Sequence, residues 1–167
     1  MATQLPVRIE FALPGGWQAV SPDESGAPHA AFVAVHLSSA DGFTANITIS
    51  GQIREPELTL ARIADDSVAQ LEESLESAKV RQRVEEGSLD APGLSQVVDL
   101  VAEVNGQSRE LVQCQAYLSM ADVRDPDLRA VIELALTCTR GQLETVFADF
   151  QSLVASVRPT DDSAAAQ

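Results

Sequence analysis

The sequence predicts an α+β domain, an antiparallel β-sheet packed with two α-helices in the order β-β-β-β-α-β-β-β-β-α. Three observations carry this. Apolar and polar residues alternate with period two in stretches before and after the middle of the chain. Two segments switch to helical spacing, one central and one near the C-terminus. The strands after the first helix are joined by short turns instead of helical crossovers, as in an antiparallel sheet.

The elements follow in chain order. LPVRIEFALP (5–14) reads as a short strand that enters the turn Gly15-Gly16, and WQAV (17–20) as a second one. SPDESGAP (21–28) is turn chemistry throughout, and HAAFVAVHL (29–37) is an apolar run of strand length. SSADG (38–42) then makes a five-residue hairpin loop into DGFTANITIS, where Phe43, Ala45, Ile47 and Ile49 alternate with Thr44, Asn46, Thr48 and Ser50. Over 57–79 the period changes: Leu60, Ile63, Ala64, Val68, Leu71, Leu75 and Ala78 share a face, with Thr59 as N-cap.

KVRQRVEEG (79–87) reads as an edge strand blunted by its charges. LDAPG (89–93) turns the chain into the strand of Val98, Leu100, Ala102 and Val104. Asn105-Gly106 is a type I′ hairpin signal. On the return strand Val112, Cys114, Ala116, Leu118 and Met120 face one way, and Gln113, Gln115, Tyr117 and Ser119 the other. After the loop 121–129, Ile132, Leu134, Leu136 and Cys138 alternate with Glu133, Ala135 and Thr137. Thr139 and Gln142 form a capping box for a helix that buries Leu143, Val146, Phe147, Phe150, Leu153, Val154 and Val157. Pro159 stops it. One domain over 1–159 and a disordered tail over 160–167 are expected.

The chain has 167 residues, enough to bury about 70% of its unfolded surface. Its formal net charge is -14, from 25 acidic and 11 basic residues. That balance argues against nucleic acid or an anionic membrane as partner, and no apolar run is long enough for direct membrane insertion. The first residues, MATQLPVRIEF, contain no basic n-region, apolar h-region or lipidation cysteine, so a cytoplasmic protein is expected. Cys114 and Cys138 are then expected as two buried free thiols.

Motifs of chemistry are scarce. There is no GxGxxG and no P-loop. GLSQV (93–97) is half a nucleophile elbow without its second glycine, and both histidines precede it. His29 and His36, read on one strand seven residues apart, point to opposite faces and share no metal. Asp122, Asp125 and Asp127 crowd one loop but have Pro126 where a calcium loop needs glycine. No catalytic, metal or cofactor site is expected, and the chain reads as a non-enzyme.

FALPGGW (11–17), GFTANITIS (42–50) and FADFQSLVASVRP (147–159), taken with the element order, resemble the LpqN/LpqT family of actinobacterial proteins. That family belongs to the PsbP-like superfamily, which also includes the DcrB lipoproteins and the EagR chaperones. The resemblance spans roughly 5–159, with Pro14, Gly16, Trp17 and Asn46 at recurring positions. It implies a PsbP-like αβα sandwich whose members mostly bind other proteins. LpqN and LpqT are exported lipoproteins, and this N-terminus departs from theirs.

The expected function is a protein-binding module, an adaptor or chaperone for a secreted or membrane-associated client. A small-molecule carrier with a pocket between sheet and helices is the alternative. The polar sheet face offers hydrogen-bonding groups without charge in an otherwise acidic chain, so it can be covered at low desolvation cost. Asn46, Thr48, Gln113, Gln115, Tyr117 and Thr137 are therefore the expected partner-binding residues, unless a helix, the second by this reading, already covers them.

Overall fold

The computed structural model describes residues 5–24, 27, 29–37, 43–87, 92–121, 125 and 127–159. In chain order the elements are β1 (Ile9–Glu10), β2 (Trp17–Val20), β3 (Phe32–His36), β4 (Asn46–Arg54), α1 (Leu60–Ser74), β5 (Ser77–Gly87), β6 (Pro92–Val104), β7 (Gln107–Ala121), β8 (Arg129–Thr139), α2 (Arg140–Ser156) and β9 (Arg158–Pro159). Strands β2 to β8 form one antiparallel sheet in the order β2-β3-β4-β8-β7-β6-β5, and β1 pairs with β9. This is the expected αβα sandwich, with strand β8 returning to the centre of the sheet beside β4.

Alternation divides the sheet into two faces of different chemistry. One carries Ala45, Ile47, Ile49, Val112, Cys114, Ala116, Ile132, Leu134, Leu136 and Cys138, and receives Val146, Phe150 and Leu153 of α2. The N-terminal segment completes this apolar layer with Val7 and the partly buried Leu5, Ile9, Phe11 and Leu13. Trp17 belongs to the same core at 7% exposure; its indole N–H donates to Asp149 Oδ2 at 3.0 Å, which satisfies the polar edge of a buried ring. On the other face α1 packs over β5, β6 and β7.

Both helices start as their sequences predict. The Thr59 side chain accepts from the Arg62 amide at 3.1 Å, and Thr139 and Gln142 complete a reciprocal capping box. The β6–β7 turn holds Asn105 at φ 53° and Gly106 at φ 80°, as a type I′ turn requires. The edge strand β5 carries a register irregularity between Val80 and Gln82 in addition to its charges, a second obstacle to edge pairing.

Several boundaries differ from expectation. Residues 5–14 contribute only two strand residues, and these pair with β9. Pro6 and Pro14 cannot donate to a ladder, so the segment spreads its apolar side chains over the core instead. The helix expected over 57–79 ends at Ser74: Leu75 is its extended C-cap, and pairing with β6 claims the chain from Ser77, so Ala78 is buried by a strand. Pro159, expected only as a stop, lies in β9 at the edge of a two-stranded ladder. His29 is exposed in a turn before β3, so the two histidines do not share a strand. The hairpin loop 38–42, Asp122, Pro126 and the tail 160–167 fall outside the described residues.

Cys114 and Cys138 are unpaired and buried under α2. Burial pushes their thiols up to about 11 and about 12 respectively, with the neighbouring thiol adding to the rise at Cys138. A thiolate is the reactive form, so both are inert at neutral pH. In a time course with an alkylating maleimide, neither cysteine is expected to react until denaturant unfolds the chain. Fast labelling of either under native conditions would contradict this packing.

Candidate functional site

The polar face of the sheet is organised by one chain of side-chain hydrogen bonds. Gln96 on β6 and Gln115 on β7 are opposite each other in the ladder, and both are buried, at 2% and 1% exposure. Gln96 Nε2 donates to Gln115 Oε1 at 2.6 Å and to the Ala64 carbonyl of α1 at 3.4 Å. Its Oε1 accepts from Arg83 Nε at 2.9 Å, and Arg83 also pairs with Asp65 of α1 at 2.8 Å. Gln115 Nε2 donates to Ser67 Oγ of α1 at 3.2 Å and to Gln113 Oε1 at 2.6 Å. Gln113 Nε2 in turn donates to Thr137 Oγ1 at 3.1 Å.

The accounting at Gln115 is complete. Its two N–H donors and both lone pairs of its oxygen are used, the second lone pair by the Tyr117 hydroxyl at 3.1 Å. Small residues on the underside of α1, Ala64 and Ser67, let the helix approach closely enough for the glutamines to reach it. A buried amide costs little when every group is paired, and the network therefore fixes where α1 lies on the sheet.

Beyond α1 the same face stays open. Between the helix and strands β4, β8 and β7 runs a cleft of about 510 Å³. Thr48 and Ser50 of β4 line one wall, Ser67 and Gln70 of α1 the other, with Glu133 and Tyr117 beneath. Glu133 faces Ser50 and Tyr117 across the ladder on its two sides. Its Oε1 is 3.4 Å from the Tyr117 hydroxyl, its sole hydrogen-bond partner among the described residues.

That hydroxyl has one proton and a nearer acceptor in Gln115. Burial holds the Glu133 carboxyl above its ordinary value of 4.5, against the opposing pull of the Tyr117 hydrogen bond. Tyr117 is displaced upward as well, first by burial and then by the Glu133 charge.

The residues expected to bind a partner separate into groups. Thr48, Gln113 and Tyr117 line the cleft. Asn46 and Thr137 are half-buried partners across the β4–β8 ladder on the same face, outside the cleft lining. Gln115 is buried in the network, and Tyr117 has 0% exposure, so neither presents a free surface. The face expected under the second helix is covered in part, and by α1. Alternation alone does not say which helix covers which face. Ser95, in the half elbow, lies within β6 and not on a strand-to-helix turn.

Glu133, Gln96 and Ser67 were not singled out by the sequence. Glu133 had a signal, as the only charged residue between Val131 and Thr139. Among the described residues no group of three or more histidine, cysteine, aspartate or glutamate side chains is arranged to hold a metal.

These features define the PsbP-like fold, and solved structures share it. LpqN, involved in cell envelope biogenesis of Mycobacterium tuberculosis, superposes with a TM-score of 0.65 at 14% identity, over 92% of this chain and 83% of that one. Cyanobacterial PsbP (CyanoP) from Synechocystis sp. PCC 6803 gives 0.64 at 14% identity, over 91% and 86%. The Saccharomyces cerevisiae Ran-binding protein Mog1p gives 0.61 at 16% identity, over 93% and 92%. No family model and no curated protein matches the sequence.

The Glu133 carboxyl predicts a pH signature. Its folded value lies above the unfolded one, so the folded state binds the proton more tightly. The resulting stability is present below the unfolded value and is lost as pH rises through the folded one. Glu133→Gln, a neutral isostere, is therefore expected to raise the unfolding midpoint at pH 7 and to give no gain near pH 4. A gain independent of pH, measured by thermal unfolding in a buffer series, would contradict the assignment.

Proposed function

We propose that this chain is a non-enzymatic protein-binding module, an adaptor or chaperone in the cytoplasm whose client, a secreted or membrane-associated protein, docks a segment in the cleft beside α1. The observation that carries the reading is the cleft itself. It is open to solvent along the sheet, and hydroxyl and amide groups of Thr48, Ser50, Ser67, Gln70 and Gln113 stand in its walls beside the charged Asp66 and Glu133. Groups of that kind are cheap to desolvate against a polar segment and impose orientation through hydrogen bonds. The partner-binding residues proposed here are Thr48 and Gln113 at the cleft, with Asn46 and Thr137 continuing the face. Gln115 and Tyr117 support them from below. The fold shared with a Ran-binding protein supports the class and names no partner for this chain.

One observation favours a second reading, a small-molecule carrier. The cleft volume of about 510 Å³ falls in the range of ligand pockets. Its walls are more polar than those of most such pockets, which keeps the protein segment first.

Native mass spectrometry of the gently purified protein separates the two. A bound polypeptide is expected, and Thr48→Trp, which fills the cleft from a half-buried position, is expected to remove it while shifting stability by less than about 1 kcal/mol. A bound species of small mass would move the assignment to a carrier. Retention of the polypeptide by a folded Thr48→Trp variant would remove the cleft from the interface.

A further inference from the structure

The cleft contains one group whose chemistry is unfinished. Glu133 is half-buried at its floor, and its single hydrogen bond, at 3.4 Å from the Tyr117 hydroxyl, is long. That hydroxyl already has a nearer acceptor in Gln115 Oε1, which leaves the carboxylate weakly compensated. The charged and titratable groups facing it are few. Asp66 lines the cleft from α1 and pairs with Arg62 at 3.2 Å. His29 comes from the turn before β3, Arg54 from the far end of β4 and Tyr117 from β7. Among the described residues no ion pair includes Glu133, and its cross-strand neighbours Ser50 and Tyr117 are uncharged.

A carboxylate in a desolvated site without a cation is costly, and a cation in hydrogen-bonding contact, with further acceptors for its donors, offsets much of that cost. Elsewhere this chain supplies such partners: Arg83 reaches Asp65, and Arg81 reaches Asp99. At Glu133 the space where a counter-ion belongs is open cleft.

We infer that the cleft receives an arginine side chain of the docked segment, with Glu133 as its counter-ion. The assignment rests on the protein-binding reading above and deepens it. A guanidinium suits the site for two physical reasons. It is more weakly hydrated than an ammonium, so it enters a half-buried position at lower cost. Its five N–H donors also need several acceptors, and the hydroxyls of Thr48, Ser50 and Ser67 stand on either side of the carboxylate. Asp66 on the rim adds charge of the same sign, and the net charge of -14 steers a cationic segment toward the chain.

The probe is the pentapeptide Ac-GSRSG-amide, followed by amide chemical-shift titration of the whole chain. Its analogue replaces arginine with citrulline, which keeps the shape and removes the charge. Shifts are expected at Ser50, Ser67 and Glu133, with affinity reduced about tenfold or more by citrulline or by Glu133→Gln. Glu144→Gln, which removes a charge on an exposed part of α2, is the control for non-specific attraction and is expected to leave affinity unchanged. Affinity is also expected to fall with pH as Glu133 gains its proton, earlier than for an ordinary carboxylate.

Equal loss in the Glu133 and Glu144 variants, or shifts spread over the acidic surface, would overturn the inference. If a natural client binds at the cleft and Glu133→Gln does not weaken it, the protein-binding reading stands and the counter-ion role falls.

Discussion

The hydrogen bond from Gln96 Nε2 to Gln115 Oε1 is the constraint on which the rest of this molecule depends. It joins the neighbouring strands β6 and β7 by their side chains beneath α1, and each glutamine reaches on to the helix itself, at the Ala64 carbonyl and the Ser67 hydroxyl. The helix is thereby held over β5, β6 and β7, and the polar groups of β4 and β8 are left uncovered. An apolar interface could tolerate sliding of the helix. A pair of buried amides that both reach the helix cannot, because a shifted helix would leave them unpaired. The position of the cleft thus follows from the pairing beneath its neighbouring helix.

The two faces of the sheet divide the work of folding. Under α2 the contacts are apolar, with Ile47, Leu134, Leu136, Phe150 and Leu153 closely buried and two thiols among them. That face supplies non-directional stability. Under α1 the apolar clusters are smaller, around Val98 and Leu100 and around Ala64 and Leu94, and they flank the polar chain on both sides. This face supplies specificity of position. Glu133 stands at its boundary, near enough to the core to be desolvated and near enough to the cleft to meet another molecule.

Much of the fold was legible in the sequence because its signals are local. Thr59, Thr139 with Gln142, and Asn105-Gly106 each act on backbone within a few residues, and each acts as its type predicts. The alternation over 112–120 placed the apolar and polar residues of β7 on their correct faces. Long-range pairing was not legible. The end of α1 was overridden by the β5–β6 ladder, and the strand expected over 5–14 shrank because its partner lies at the other end of the chain.

The site was half legible for the same reason. The uncharged polar phase of β4 and β7, over 44–50 and 113–119, announced a face that is not freely solvated. Whether a side chain on it meets α1, like Gln115, or the open cleft, like Thr48, depends on helix placement that no local pattern encodes.

The central claim is that the Gln96–Gln115 pair fixes α1, and a double-mutant cycle with Gln96→Met and Gln115→Met tests it most directly. Methionine keeps the length of the side chain and removes its hydrogen bonds, so each single change strands a buried partner. The account predicts a loss of about 1–3 kcal/mol for each single variant in denaturant unfolding. The double variant is predicted to lose less than the sum by about 1 kcal/mol or more. Additive losses, or single variants as stable as the parent, would contradict it.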